Sequence, residues 1–257
     1  SDVYKRQDLM TRGRLEIGIA RGAYSYEYER LVPGMSAWDA GKRMREVTPT
    51  LRKLWQGDYE HNGEFFQFPS TTSAPKPIQE NGPPIWIAAR DPNSFEFAVS
   101  NDFNVQVTPL WQGMIEISSL MNSFKAARNN NVGKSPKIML LHHTYVAKDT
   151  ADEEQAIQEL TQFFCYFGAW FQNKRPVLQG AIKPLTHQEM AENKFITPQY
   201  IADNLTIGTV SKVIDRIKQY EDMGYDEFSF WIDSGLSGQR KKNNLARFIN
   251  EVMPAFQ

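Results

Sequence analysis

The chain has 257 residues, with 29 Lys and Arg against 30 Asp and Glu. A formal net charge of −1 leaves no basic excess for neutralising phosphates, which excludes a typical nucleic-acid-binding surface. No run approaches the ~18 consecutive apolar residues of a membrane helix, and the single cysteine, Cys165, cannot close an internal disulfide. Beside Phe163 and Phe164 it reads as buried filler rather than as a nucleophile. A cytoplasmic enzyme of α/β class is the expectation that remains.

Taken in chain order, Arg14 to Ala20 is a short apolar strand that runs into a loop at Arg21-Gly22. Met35 to Gln56 has helical spacing at Val47, Leu51, Leu54 and Trp55, and Pro49 within it is expected to kink or break the helix. Tyr59 to Phe66 places Asn62-Gly63 between alternating residues, the signal of a two-residue hairpin. Ile85 to Ala89 is a second buried strand, ending at Arg90-Asp91-Pro92, where Asp91 suits a helix cap and Pro92 the first helical position. Asn104 to Thr108 and Ile138 to Val146 are further strands, followed by helices over Ile115–Arg128 and Thr150–Gln172. Residues 173–193 lack a period, and so long a connection is typical of a functional loop. Thr209 then caps a helix that stops at Gly224, Phe228 to Ile232 is a fifth strand, and a last helix carries Leu245, Phe248, Ile249 and Val252. Apolar strands alternating with helices point to a parallel sheet, either an open doubly wound one or part of a (β/α)₈ barrel.

Spacing dismisses several chemistries. The chain has no Gly-x-Gly-x-x-Gly after a strand, no P-loop and no Gly-x-Ser-x-Gly elbow. His142 and His143 are adjacent on a strand, so they face opposite sides and cannot chelate one ion together. A satisfied structural role is the expectation for them. Two strand ends carry more. Arg21 and Gly22 follow the first strand; Arg90, Asp91 and Ser94 follow the second, at a helix start whose N–H groups favour anions. Ligands of α/β proteins bind at such carboxyl ends. These residues therefore either converge on a phosphate, or Arg21 and Arg90 pair with Asp91 or Glu27 at the rim.

At these residues the sequence resembles the bacterial luciferase-like flavin monooxygenases. The matching stretches are Asp8 to Gly22, Tyr26-Glu27-Tyr28, Arg43 to Gly57, Pro83 to Ala89 with Pro92 and Ser94, Asn204 to Thr209, and Glu251 to Phe256. The resemblance implies a (β/α)₈ TIM barrel of luciferase-like type, represented by about strands four to eight. It implies residues 8–257 as a partial barrel domain and residues 1–7 as a lead unlike the family. The expected activity is oxygenation of a small organic substrate with reduced FMN and O₂, the reduced flavin coming from a separate flavin reductase. Hydride transfer with the deazaflavin F420, or a non-catalytic partner subunit, are the alternatives. The resemblance places Arg21, Gly22, Arg90, Asp91 and Ser94 on the cofactor phosphate, and residues 173–194 in the mobile active-site loop. Asp91 departs from the small hydroxyl residue common in the family. Catalytic residues and a homodimer interface are expected in the family's N-terminal third. As a piece of a barrel, the chain is expected to leave strand edges unpaired at Arg14–Ala20 and Phe228–Ile232, with Ile17, Ile87, Phe230 or their alternating neighbours open to water, and to associate through them.

Overall fold

Asp8 is fully buried, and its carboxylate accepts the N–H groups of Ile78 and Gln79 at 2.8 and 3.2 Å and the Gln79 carboxamide at 2.8 Å. These bonds fix a first helix, α1 (Asp2–Thr11), in the computed structural model, which describes residues 2–24, 27–28, 32–172 and 174–256. Residues 2–7 thus belong to a helix, and Lys5 within it is buried. The chain divides into two compact units, Ser1–Gln106 with Phe124–Lys137, and Val107–Ser123 with Ile138–Gln257.

In the first unit, β1 (Ile17–Ile19) is followed by α2 (Ala37–Gln56), a hairpin of β2 (Tyr59–Asn62) and β3 (Gln67–Thr71), β4 (Ile85–Ala88), α3 (Pro92–Ser100) and β5 (Asn104–Val107). β4 pairs in parallel with β1 on one edge and β5 on the other. Helix α2 opens with a reciprocal Ser36–Asp39 capping box and runs without interruption through Pro49, against the sequence expectation of a break. The hydroxyls of Thr48 and Thr50 donate to the Met44 and Val47 carbonyls around the proline, at 2.7 and 2.6 Å. Burial of Met44, Thr48 and Trp55 on both sides of it holds the turn, so tertiary packing overrides the local preference. The hairpin also differs from its expected two-residue turn. Asn62 pairs with Gln67, leaving Gly63 to Phe66 as the loop. The Glu46 carboxylate on α2 accepts the N–H groups of Phe65 and Phe66 at 3.0 and 2.8 Å and bonds His61 Nε2 at 3.0 Å, which opens the turn onto the helix.

The strands leave their small alternates open. Ile17 and Ile87 are buried, while Gly18 and Ala88 are exposed, so the expected exposure falls on the neighbours and not on the isoleucines. Phe230 is half-buried.

After α4 (Gly113–Asn130), the second unit holds β6 (Ile138–Val146), α5 (Thr150–Gln172), α6 (His187–Ala191), α7 (Pro198–Asn204), β7 (Thr206–Gly208), α8 (Val210–Met223), β8 (Glu227–Trp231) and α9 (Gly238–Arg247). β6 pairs in parallel with β8 over Met139–His143 and with β7 over Thr144–Val146. Strand β7 was not read from the sequence; its three residues are too few to show a period. Thr209 occupies the first cap position of α8, but its hydroxyl pairs with Ser211 rather than with the helix backbone. Beyond the last residue paired to β8, the fully buried Asn244 of α9 accepts the Val146 N–H at 2.8 Å and donates to the Thr144 carbonyl at 3.1 Å. The apolar core lies between β6, β7 and α5, from Tyr145, Leu160, Phe164 and Cys165 to Ile201 and Ile207.

The long connection after α5 is tied down at several points. Arg175 meets both oxygens of Glu189 at 2.5 Å, Leu178 and Ala181 form an isolated bridge, and Leu185 is buried against Gly168. Asn173 lies outside the described residues. Hydrogen bonds from the Thr186 backbone, the Arg175 guanidinium and the Thr186 hydroxyl hold the Glu189 carboxyl down at about 2. A depressed carboxyl stabilises above its ordinary value and loses that contribution as pH falls toward 2. Arg175→Ala is therefore expected to speed amide exchange over 174–194 at neutral pH while leaving β6 protected; unchanged exchange in the loop would show that the ion pair tethers nothing.

Candidate functional site

The strand-end residues singled out by sequence lie in the first unit. Asp91 caps α3 and Pro92 takes its first position, as expected. The Asp91 carboxylate accepts the Ser94 N–H at 3.1 Å, and the Ser94 hydroxyl donates to it at 2.6 Å. Burial alone would raise this carboxyl, but the Ser94 and Asn93 hydrogen bonds and the charge of Arg21 hold it below the ordinary aspartate value. Arg21 and Asp91 are thus electrostatically joined, and Ser94 is tied to Asp91. Arg21 itself is exposed and donates to the Ala37 carbonyl at 3.1 Å. Gly22 adopts φ +91°, a conformation open to glycine, and a Cβ there would stand 2.8 Å from the Tyr28 ring, whose hydroxyl bonds the Gly22 carbonyl at 2.6 Å. Arg90 is exposed. Tyr26 lies outside the described residues. In charge, Arg21 and Arg90 fit a phosphate. The start of α3 is already occupied by a side-chain anion, that of Asp91.

The second unit carries a different constellation. His142 and His143 face opposite sides of β6, as adjacent strand residues must. His142 Nδ1 lies 2.9 Å from the Thr206 hydroxyl and 3.2 Å from the Tyr220 hydroxyl, and those two are 3.0 Å apart. Burial, then the charge of Arg216, pushes its pKa down to about 3, so the ring stays neutral. This is the satisfied structural histidine expected from the sequence. His143 is not. It is buried, yet neither ring nitrogen has a hydrogen-bond partner among the described residues. Trp231, the last residue of β8, stacks on it at 3.9 Å and 18°, and Phe163, Phe164 and Phe167 of α5 meet its ring at 5.4, 5.2 and 6.2 Å. Burial and the neighbouring His142 keep the His143 pKa well below the ordinary histidine value.

A family model described as luciferase-like monooxygenase matches residues 7–227. The chain belongs to this family. A relative from Acinetobacter baylyi, the oxygenase component of a flavin-dependent trigonelline monooxygenase, is 58% identical over 250 residues, covering 97% of this chain and 69% of the relative. Among solved structures, an F420-dependent secondary alcohol dehydrogenase in complex with an F420–acetone adduct matches with a TM-score of 0.74 at 16% identity, over 100% of this chain and 74% of the other. The FMN-bound oxygenating constituent of 3,6-diketocamphane monooxygenase from Pseudomonas putida matches at 0.71 and 14%, over 99% and 74%. Both likenesses show the fold, an α/β barrel of luciferase-like type.

In this luciferase-like chain the aromatic cluster around His143 was not expected from the sequence. Phe163, Phe167 and Phe171 recur every four residues, one stripe of a helix, and Trp111 packs on Phe164, Phe167 and Phe171 at 5.7–5.9 Å. That spacing was visible in the sequence; the strand residues it meets were not. No helix among the described residues is long and apolar enough to cross a membrane. No group of three or more metal-ligating side chains is present among them either.

Proposed function

We propose that this chain is the oxygenase component of a two-component flavin-dependent monooxygenase, acting on trigonelline or a closely similar N-heteroaromatic acid. The observation that carries this reading is the 58% identity to the Acinetobacter oxygenase component, sustained over 97% of the chain. Reduced FMN, when bound, supplies the electrons with which O₂ is activated. A separate flavin reductase delivers it. The chain's own residues bind and orient. In this reading Arg21 and Arg90 hold the cofactor phosphate by charge-assisted hydrogen bonds, the Gly22 turn brings backbone close to it, and the Asp91 carboxylate beside Arg21 opposes the phosphate charge.

Arg21→Ala is expected to weaken reduced FMN binding by about 2 kcal/mol, a factor of about 30 in Kd. Asp91→Asn keeps a competent cap while removing the negative charge, and is expected to tighten it. Anaerobic titration with reduced FMN checks both, and unchanged affinity in Arg21→Ala would return Arg21 to a rim ion pair. To test the reading itself, the protein is offered reduced FMN and reduced F420 in parallel. It predicts tight binding of reduced FMN and no substrate-dependent oxidation of F420. Substrate reduction driven by F420 without O₂ would replace it with the hydride-transfer alternative.

A further inference from the structure

An unspent imidazole in a hydrocarbon environment destabilises a protein, because burial strips water from both ring nitrogens and nothing replaces it. Natural structures leave few such groups, and each one asks for an explanation. His143 is one. A phenylalanine would fill the same space between Trp231, Phe163, Phe164 and Phe167 without that penalty. The contrast with His142 is instructive: one residue away on the same strand, its Nδ1 is held by two hydroxyls. Two further observations bear on what His143 serves. Its stacking partner Trp231 closes the carboxyl end of β8, where ligands of parallel α/β folds bind. And Trp231, Phe163 and Phe167, which meet the imidazole, are each partly exposed, as is Phe171 packed on Phe167.

We propose that these aromatic rings and His143 form the substrate subsite, taking a planar N-heteroaromatic carboxylate, with His143 as the polar group that sets its orientation. The inference rests on the monooxygenase reading and adds the residues that would select its substrate. Flat aromatic walls accept a planar ring by offset or edge contacts, and they favour a ring that carries positive charge. A neutral imidazole offers one donor and one acceptor, and its N–H suits a carboxylate oxygen. Reaching it requires Trp231 to swing off the imidazole face, so ligand entry and Trp231 movement are coupled.

Equilibrium binding of trigonelline to the wild type, His143→Phe and Trp231→Leu tests this, with melting temperature and reduced FMN affinity measured alongside. In His143→Phe, trigonelline affinity is expected to fall about tenfold or more, while the melting temperature holds or rises and FMN affinity is unchanged. In turnover the loss should appear in KM more than in kcat. A merely structural histidine would leave trigonelline affinity untouched. Should His143→Phe fail to fold, Trp231→Leu carries the test, since removing that wall is expected to weaken trigonelline binding and to change the intrinsic fluorescence response to it. Wild-type affinity in either folded variant overturns the subsite while leaving the monooxygenase reading standing. A wild type that binds neither trigonelline nor nicotinate overturns the subsite together with the proposed substrate class, and leaves the flavin part of the reading to its own titration.

Discussion

Acidification from pH 6.5 to 4.5 destabilises the folded chain, with about 2 kcal/mol expected from His142 alone. The sign follows from burial. In the unfolded chain His142 takes a proton near its ordinary value of 6.5, whereas in the folded chain burial and the charge of Arg216 push it down to about 3. Below pH 6.5 the unfolded state therefore binds more protons than the folded one, and stability falls by up to about 1.4 kcal/mol per pH unit until the folded ring itself titrates. His143, also held well below the ordinary value by burial, adds to the loss in the same direction. The carboxylates held low among the described residues, Asp39, Glu46, Asp91, Asp149 and Glu189, are half protonated in the unfolded state at their ordinary values of 3.8 to 4.5 and add to the loss only at the lower end of this window, so the loss above about pH 5 belongs to the histidines. Urea midpoints measured at half-unit pH intervals check this. His142→Gln, which keeps a polar group against Thr206 and Tyr220 without a titration, should flatten the slope; an unchanged slope would mean that His142 is not the group responsible.

Asn244→Ala is expected to cost about 3 kcal/mol of stability. The carboxamide satisfies one N–H and one carbonyl of β6 where pairing with β8 has ended, and both of those groups are buried with it. Truncation leaves two backbone groups without water or partner, each worth about 1–3 kcal/mol. Asn244→Asp should not restore the loss, since a carboxylate accepts the Val146 N–H but cannot donate to the Thr144 carbonyl. Denaturant unfolding of both variants reads the effect, and a shift below about 0.5 kcal/mol in Asn244→Ala would show that water reaches the strand there.

Where the sequence carried a period, the structure follows it. Strand β6 and helix α5 occupy the residues that apolar runs and acidic first-turn residues marked, and Gly224 ends α8 in the left-handed conformation that glycine allows. The Asp91–Pro92 helix start was legible for the same reason, because cap chemistry is local. Pro49 and the Asn62-Gly63 turn were misjudged because packing decides them: burial of Met44 and Trp55 holds the helix across the proline, and Glu46 opens the turn from another element. At the candidate site, the cap expected at Asp91 accounts for its hold on the Ser94 N–H, but not for the Ser94 hydroxyl donating to the same carboxylate. His143 was beyond a single sequence. Its unpartnered nitrogens are a property of what α5 and β8 bring against β6.

Turnover of trigonelline under ¹⁸O₂ tests the central claim most directly. The protein is supplied with FMN, a flavin reductase and NADH, and the product is analysed by mass spectrometry. The account predicts that trigonelline is consumed only when reduced FMN and O₂ are both present, and that one ¹⁸O atom is incorporated per product molecule. Consumption without O₂, or a product free of label, would contradict it.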